Sequence, residues 1–129
     1  MRETAAREAL RKRSRGRCEG CGGTATDYSH RRTVAVPDDH QWCPCNALHL
    51  CRTCHSWAHH NPGKARLRGW HVSRYTERPG HVPACTIQGW FTLDCEGSGR
   101  YVHGDDIVIS DGTPSLDMRD LSRTVGGNQ

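Results

Sequence analysis

The sequence predicts a small α+β domain held together by bound metal more than by a large apolar core. Three observations point that way. Leu, Ile, Val and Phe together number 18 of 129 residues, below the roughly 20% at which chains usually bury enough apolar surface to offset their conformational entropy. Eight cysteines are present, and four of them form two C-x-x-C pairs, Cys18/Cys21 and Cys51/Cys54. Short helical and strand-like segments alternate through the first 75 residues.

The elements follow in order. Residues 3–13 read as a basic helix, with Thr4 as its cap and Arg11, Lys12 and Arg13 at the end that the helix dipole favours. Only Ala5, Ala6, Ala9 and Leu10 are apolar in it, enough for one thin buried stripe. "CEGCGG" (18–23) is a tight turn, "TATDYSHRR" (24–32) a strand, and 33–44 a loop. "NALHL" (46–50) leads into a helix from Arg52 to His60. Asn61 and Pro62 suit the N-cap and first position of a further helix that Gly69 stops, and 70–75 is extended. "CTIQGWFTL" (85–93) reads as a hairpin turning near Gln88-Gly89, and 100–109 as a second one around Gly104-Asp105. The polar segment from Asp111 reads as a mobile tail.

Charge divides the chain. Residues 1–78 carry 15 Lys/Arg against 7 Asp/Glu, whereas residues 79–129 carry 3 against 7. The first part suits a polyanion such as nucleic acid. The acidic second part is a poor nucleic-acid ligand and better fits a protein contact. The N-terminal stretch is charged throughout, and no run approaches the ~18 apolar residues of a membrane span, so no membrane contact and a cytoplasmic location are expected.

In a reducing compartment, paired cysteines point to metal. Two C-x-x-C turns complete a tetrahedral site of four thiolates, with Zn–S near ~2.3 Å, so Cys18, Cys21, Cys51 and Cys54 are expected to hold a structural zinc ion. The run Cys51-Arg52-Thr53-Cys54-His55 also spells a haem attachment motif. That reading needs export and leaves Cys18 and Cys21 without a role. Cys43 and Cys45 read as small buried thiols, and Cys85 and Cys95 as packing residues on opposite arms of the first C-terminal hairpin.

His55 and His59 lie four apart on one helix, which places both imidazoles on one face. Such a pair suits a divalent ion such as zinc, nickel, manganese or cobalt. His30 ends a strand beside Arg31 and Arg32, the pattern of a general base next to phosphate-binding guanidiniums. His49, His60, His71, His81 and His103 read as structural or solvated. Trp42, Trp57 and Trp70 are expected to form the small core.

Taken together, "CEGC", "DYSHRR", "CNALHLCRTCHSWAHH" and "NPGKARLRGWHVSRY" resemble the HNH nuclease family. More narrowly they resemble the small zinc-knuckle HNH proteins of bacteriophages, whose genes often sit beside DNA-packaging genes. The resemblance covers residues 18–75. It implies a ββα-metal unit in which His30 is the general base and Asn46 braces the loop that aims it. It also implies that His55 and His59 bind a catalytic Mg²⁺, Mn²⁺, Ni²⁺ or Zn²⁺, while the four knuckle cysteines hold structural zinc. Ser29 stands where many members carry a His or Asp ligand, and Asp27, on the same strand face, is expected to offer an oxygen instead. The implied activity is metal-dependent hydrolysis of DNA phosphodiester bonds with 5′-phosphate products, with Arg31 or Arg32 holding a neighbouring phosphate. DNA is the implied partner, with a phage terminase or other packaging protein as a second one, in the host cytoplasm if the gene is a phage's. The expected organisation is a basic helix (1–16), the HNH domain (17–78), an accessory hairpin region (79–110) and a flexible tail (111–129). A non-catalytic zinc-knuckle module binding nucleic acid or a packaging protein is the alternative.

Overall fold

The structure, a computed structural model, describes residues 2–117. Helix α1 (Glu3–Ser14) buries Ala6 and Leu10, which lie one turn apart. Its N-cap is Arg2, which makes no side-chain capping bond, so the helix starts ahead of the expected Thr4 cap. Arg13 near its end is not spread into solvent. It pairs with Glu19 at 2.8 Å and donates to the carbonyls of Pro44 and Ala47.

The chain then passes through the first knuckle into β1 (Asp27–His30), antiparallel to β2 (Ala47–Leu50), with Asp27 opposite Leu50 and His30 opposite Ala47. The strand is shorter than the expected 24–32, because Arg31 and Arg32 leave it to make the interactions described below. Helix α2 (Arg52–His60) starts at Cys51, whose Sγ accepts the Cys54 N–H at 3.3 Å. Pro62 opens α3 (Pro62–Leu67) as expected, but Asn61 does not cap it: its amide donates back to the Trp57 carbonyl. Gly69, at φ 71°, turns the chain so tightly that an added Cβ would lie 1.9 Å from the Pro83 carbonyl oxygen. Residues 70–75 join no sheet.

A three-stranded antiparallel sheet follows, formed by β3 (Ala84–Thr86), β4 (Gly89–Leu93) and β5 (Gly99–Val102). Its first turn is at Ile87-Gln88, one residue before the expected position. The expected hairpin 100–109 does not form. β5 pairs with β4 instead, Gly104–Asp106 is a 3-10 turn, and β6 (Ile107–Ser110) pairs with β7 (Thr113–Leu116). Thus part of the expected tail is a strand, and the rest of it, 118–129, lies outside the described residues. The signal for this turn was present: Asp111 and Gly112 take φ 55° and 74°, the consecutive positive values that Asp-Gly hairpin turns favour. Among the described residues the fold is therefore a small α+β arrangement of three helices and three small antiparallel sheets.

The core is small and contiguous. Leu48 and Leu50 of β2, Ala58 of α2 and Ala65 of α3 pack with Cys18, Trp70, Ala84 and Leu93, so the first knuckle, the helices and the C-terminal sheet share it. Trp57 packs edge-on to Trp70, as expected, whereas Trp42 lies elsewhere, against His30.

Arg31 and Arg32 are 2% and 1% exposed. The Arg31 guanidinium donates to the carbonyls of Gly69 (2.7 Å), Cys45 (3.1 Å), Pro79 (2.9 Å) and Val82 (2.6 Å). Burial pulls its pKa down to about 9, which leaves it charged at neutral pH. Arg32 pairs with Asp38 and donates to the Thr76 carbonyl. These partners and their burial replace the expected phosphate contacts, because neither guanidinium is open to a ligand. Arg31→Met would strand four buried carbonyls, and urea denaturation at constant zinc should show a loss of at least about 3 kcal/mol. A loss under about 1 kcal/mol would mean that other donors replace it.

Candidate functional site

The two knuckles meet. Cys18, Cys21, Cys51 and Cys54 place their sulfurs within 4.8 Å of one another, with 3.8 Å between Cys21 and Cys51. Local backbone explains the geometry. Each first cysteine accepts N–H groups from its own turn: Gly20 and Cys21 donate to Cys18, and Cys54 donates to Cys51. Burial acts to raise the Cys18 pKa, but N–H donors from Cys51, Cys21 and Gly20 outweigh it and bring the thiol down to about 7, which favours the thiolate a metal needs. This cluster could hold a structural metal such as zinc.

A second cluster, absent from the sequence-based expectation, consists of His40, Cys43, Cys45 and Cys95, whose ligand atoms also lie within 4.8 Å of one another. Cys43, Cys45 and Cys95 are therefore not simply packing thiols. Cys95 lies past the end of β4 and Cys85 sits in β3 opposite Trp90, so the two do not face each other as hairpin arms. The run His40-x-x-Cys43-x-Cys45 was the available signal, but its fourth member is fifty residues away. This group too could hold a structural metal. Among the described residues these are the two such groups, and neither includes His55 or His59.

The histidines converge in a cleft lined by Tyr28, Ser29, His30, His55, His59 and His71. The His55 and His59 rings lie 5.2 Å apart on α2, and His71 lies 6.2 Å from His59. His71, expected to be structural or solvated, is thus a third imidazole in the group, brought there by the turn after α3. Asp27 accepts from Arg52 at 2.8 Å and lies 2.8 Å from His55 Nδ1. The hydrogen bonds from Arg52 and His55 hold its carboxyl well below the usual carboxylate range. An ionised Asp27 requires a proton on His55 Nδ1, so in the neutral ring it is Nε2 that carries the lone pair. Asp27 therefore orients His55, in place of the expected metal-ligand role. Ser29 is 2% exposed, a buried hydroxyl at the edge of the cleft.

His30 is wedged between Trp42 and Tyr28, edge-on at ring distances of 4.6 and 5.0 Å. Its Nε2 is buried and has no hydrogen-bond partner. Burial lowers its pKa from 6.5, against a hydrogen bond to the Gln41 backbone that raises it. Asn46, fully buried, grips the residue two beyond His30: its Oδ1 accepts the Arg32 N–H at 2.8 Å and its Nδ2 donates to the Arg32 carbonyl at 3.3 Å. Arg7, not singled out in the sequence, lies over both aromatic rings, with Cζ 5.2 Å from the Tyr28 centroid and 5.7 Å from that of Trp42.

No family model, no curated protein and no solved structure matches this chain. No helix among the described residues is long and apolar enough to cross a membrane.

Because metal binding energy at a knuckle site is folding energy, Cys51→Ser should lose bound zinc and native circular dichroism together. A variant with the wild-type spectrum and full zinc content would contradict a structural role for the four-cysteine cluster.

Proposed function

We propose that this chain is a metal-dependent DNA endonuclease of the HNH type. The observation that carries the reading is the convergence of His30 with the His55/His59 pair in one cleft, on a β1–β2 hairpin followed directly by α2. That succession supports a ββα-metal unit. By donor type the set suits a borderline divalent ion, although its ligand atoms are not drawn within 4.8 Å of one another as those of the two cysteine clusters are: His55 presents Nε2, His59 lies one turn on, and His71 stands beside it where Ser29 is a poor ligand. Such an ion, when bound, would stabilise negative charge developing on phosphate oxygens.

The remaining work falls to side chains. His30 is neutral at pH 7 because burial lowers its pKa, and its buried, unpartnered Nε2 is the atom that would take a proton from a water admitted with the substrate as that water attacks phosphorus. The P–O3′ bond breaks, the departing O3′ takes a proton from solvent, and the products carry a 5′-phosphate and a 3′-hydroxyl. Asn46 fixes the backbone just beyond His30, and Trp42 and Tyr28 fix its ring. Asp27 fixes the His55 tautomer. With Arg31 and Arg32 buried, Arg7 and Arg52, whose side chains are 49% and 80% exposed, are the better phosphate contacts. The basic balance of residues 1–78 supports DNA as the substrate, and the acidic segment beyond residue 78 suits a protein partner, such as a packaging protein.

The buried Ser29 hydroxyl favours a second reading, a zinc-knuckle module that binds nucleic acid without cutting it. Nicking of supercoiled plasmid separates the two. Cleavage should require added Mg²⁺, Mn²⁺ or Ni²⁺, and His30→Ala should reduce it by at least about 100-fold while fold and DNA binding persist. Normal cleavage by that variant would exclude His30 as the base. No cleavage with any metal, by folded protein that binds DNA, would favour the binding module.

The same base sets a pH dependence. Protonated His30 cannot accept a proton, and burial lowers its pKa from 6.5, so the acid limb of the activity should be centred below 6.5. A decline centred above 6.5 would assign the acid limb to another group.

A further inference from the structure

We propose that His40, Cys43, Cys45 and Cys95 form a second structural zinc site, and that this ion clips the C-terminal sheet onto the loop behind His30. The donor set is one imidazole and three thiols, a combination typical of closed structural zinc sites. His40 Nδ1 lies 3.5 Å from the Cys45 sulfur and 3.9 Å from that of Cys95. Cys43 and Cys45 are 3% and 1% exposed, and Cys95 closes the cluster from the surface side.

The backbone is built to bring them together. Pro44 opens the 3-10 turn Pro44–Asn46, so the two loop cysteines flank a conformationally fixed residue. Cys95 sits in a turn closed by the Asp94 N–H to the Ser98 carbonyl and by Asp94 Oδ1, which accepts from Glu96 and Ser98. Gly80 lies between the two sides: an added Cβ there would fall 2.3 Å from the Leu93 carbonyl oxygen and 3.0 Å from Cys45 Cβ.

The position gives the ion a task. The segment from His40 to Asn46 supplies the Gln41 backbone partner of His30, the Trp42 ring against it, the Cys43 carbonyl that Tyr28 Oη donates to, and the Asn46 clamp. Cys95 comes from the other end of the fold. An ion shared by both would hold the acidic C-terminal sheet in register with the proposed catalytic hairpin, where few apolar side chains are available to do so.

The test is thiol alkylation of the full-length, zinc-loaded protein, read by peptide mass mapping. Cys95 is exposed, so burial does not protect it from iodoacetamide, and the comparison is made at a pH high enough to ionise a free thiol. The expected result is that Cys43, Cys45 and Cys95 stay unmodified until a zinc chelator is added and are then alkylated. Prompt alkylation of Cys95 in zinc-loaded protein would overturn the site. So would protection that only a thiol reductant releases, because that indicates a disulfide.

Zinc counting gives an independent readout in a His55→Ala/His59→Ala chain, where the imidazole pair contributes no ion. Two zinc ions per chain are expected, one from each cysteine cluster, falling to one with Cys95→Ser added. A single ion before that change would overturn the proposal. Neither readout depends on DNA cleavage, so this site and the nuclease reading fail separately.

Discussion

The Arg31 guanidinium gathers four carbonyls that no sheet or helix would otherwise bring together: Cys45 before β2, Gly69 after α3, and Pro79 and Val82 ahead of β3. Its own N–H binds the Asn46 carbonyl, and its carbonyl accepts from Val72. A buried charge is costly unless its donors are satisfied, so these segments must converge if the charge is to be buried at all. The rest of the fold is arranged around that requirement. β1 ends at His30 because the next residue must turn inward, and the long path from α3 to β3 must wrap Arg31 closely enough for its carbonyls to reach.

Polar junctions, and cysteine clusters that could hold a metal, recur where a larger protein would use leucines. Arg13 and Glu19 form a buried bridge in which Arg13 binds the Pro44 and Ala47 carbonyls and Glu19 accepts the His49 N–H. This ties α1 to the first knuckle and to the end of the hairpin loop where it enters β2. The cysteine cluster at the knuckles does the same for the entry to β1 and the start of α2. With a core as small as Leu48, Leu50, Trp70, Leu93 and a few alanines, directional interactions fix the geometry that packing alone would leave loose.

The histidine cleft is positioned by these junctions. Trp42 and the Gln41 backbone reach His30 from one loop, Asn46 at its end holds Arg32 just beyond His30, and that loop is anchored by Arg13 and Arg31. His55 is set by Asp27 from across the hairpin, and His71 arrives because α3 ends at Gly69 and the chain turns back. A His30 ring held neutral by burial beside His55, which Asp27 orients, and His59 is the arrangement that proton transfer next to a divalent ion would use.

Local sequence was enough for features whose cause is local. The C-x-x-C turns, the helix after Cys51, the proline start of α3 and the i, i+4 histidine pair each depend on a few neighbouring residues, and each has the geometry its spacing implies. Tertiary structure decided whatever depends on distant partners. Arg31 and Arg32 look like phosphate ligands beside His30, but carbonyls and a carboxylate up to 51 residues away absorb them. Asp27 looks like a metal ligand, but Arg52 and His55 occupy it. β5 pairs back to β4, leaving β6 to pair with residues that read as a tail. Cys95 meets His40 only after the sheet folds over the hairpin loop. In each case a charged, polar or thiol group has several chemically adequate partners along the chain, and only the folded path determines which one is within reach.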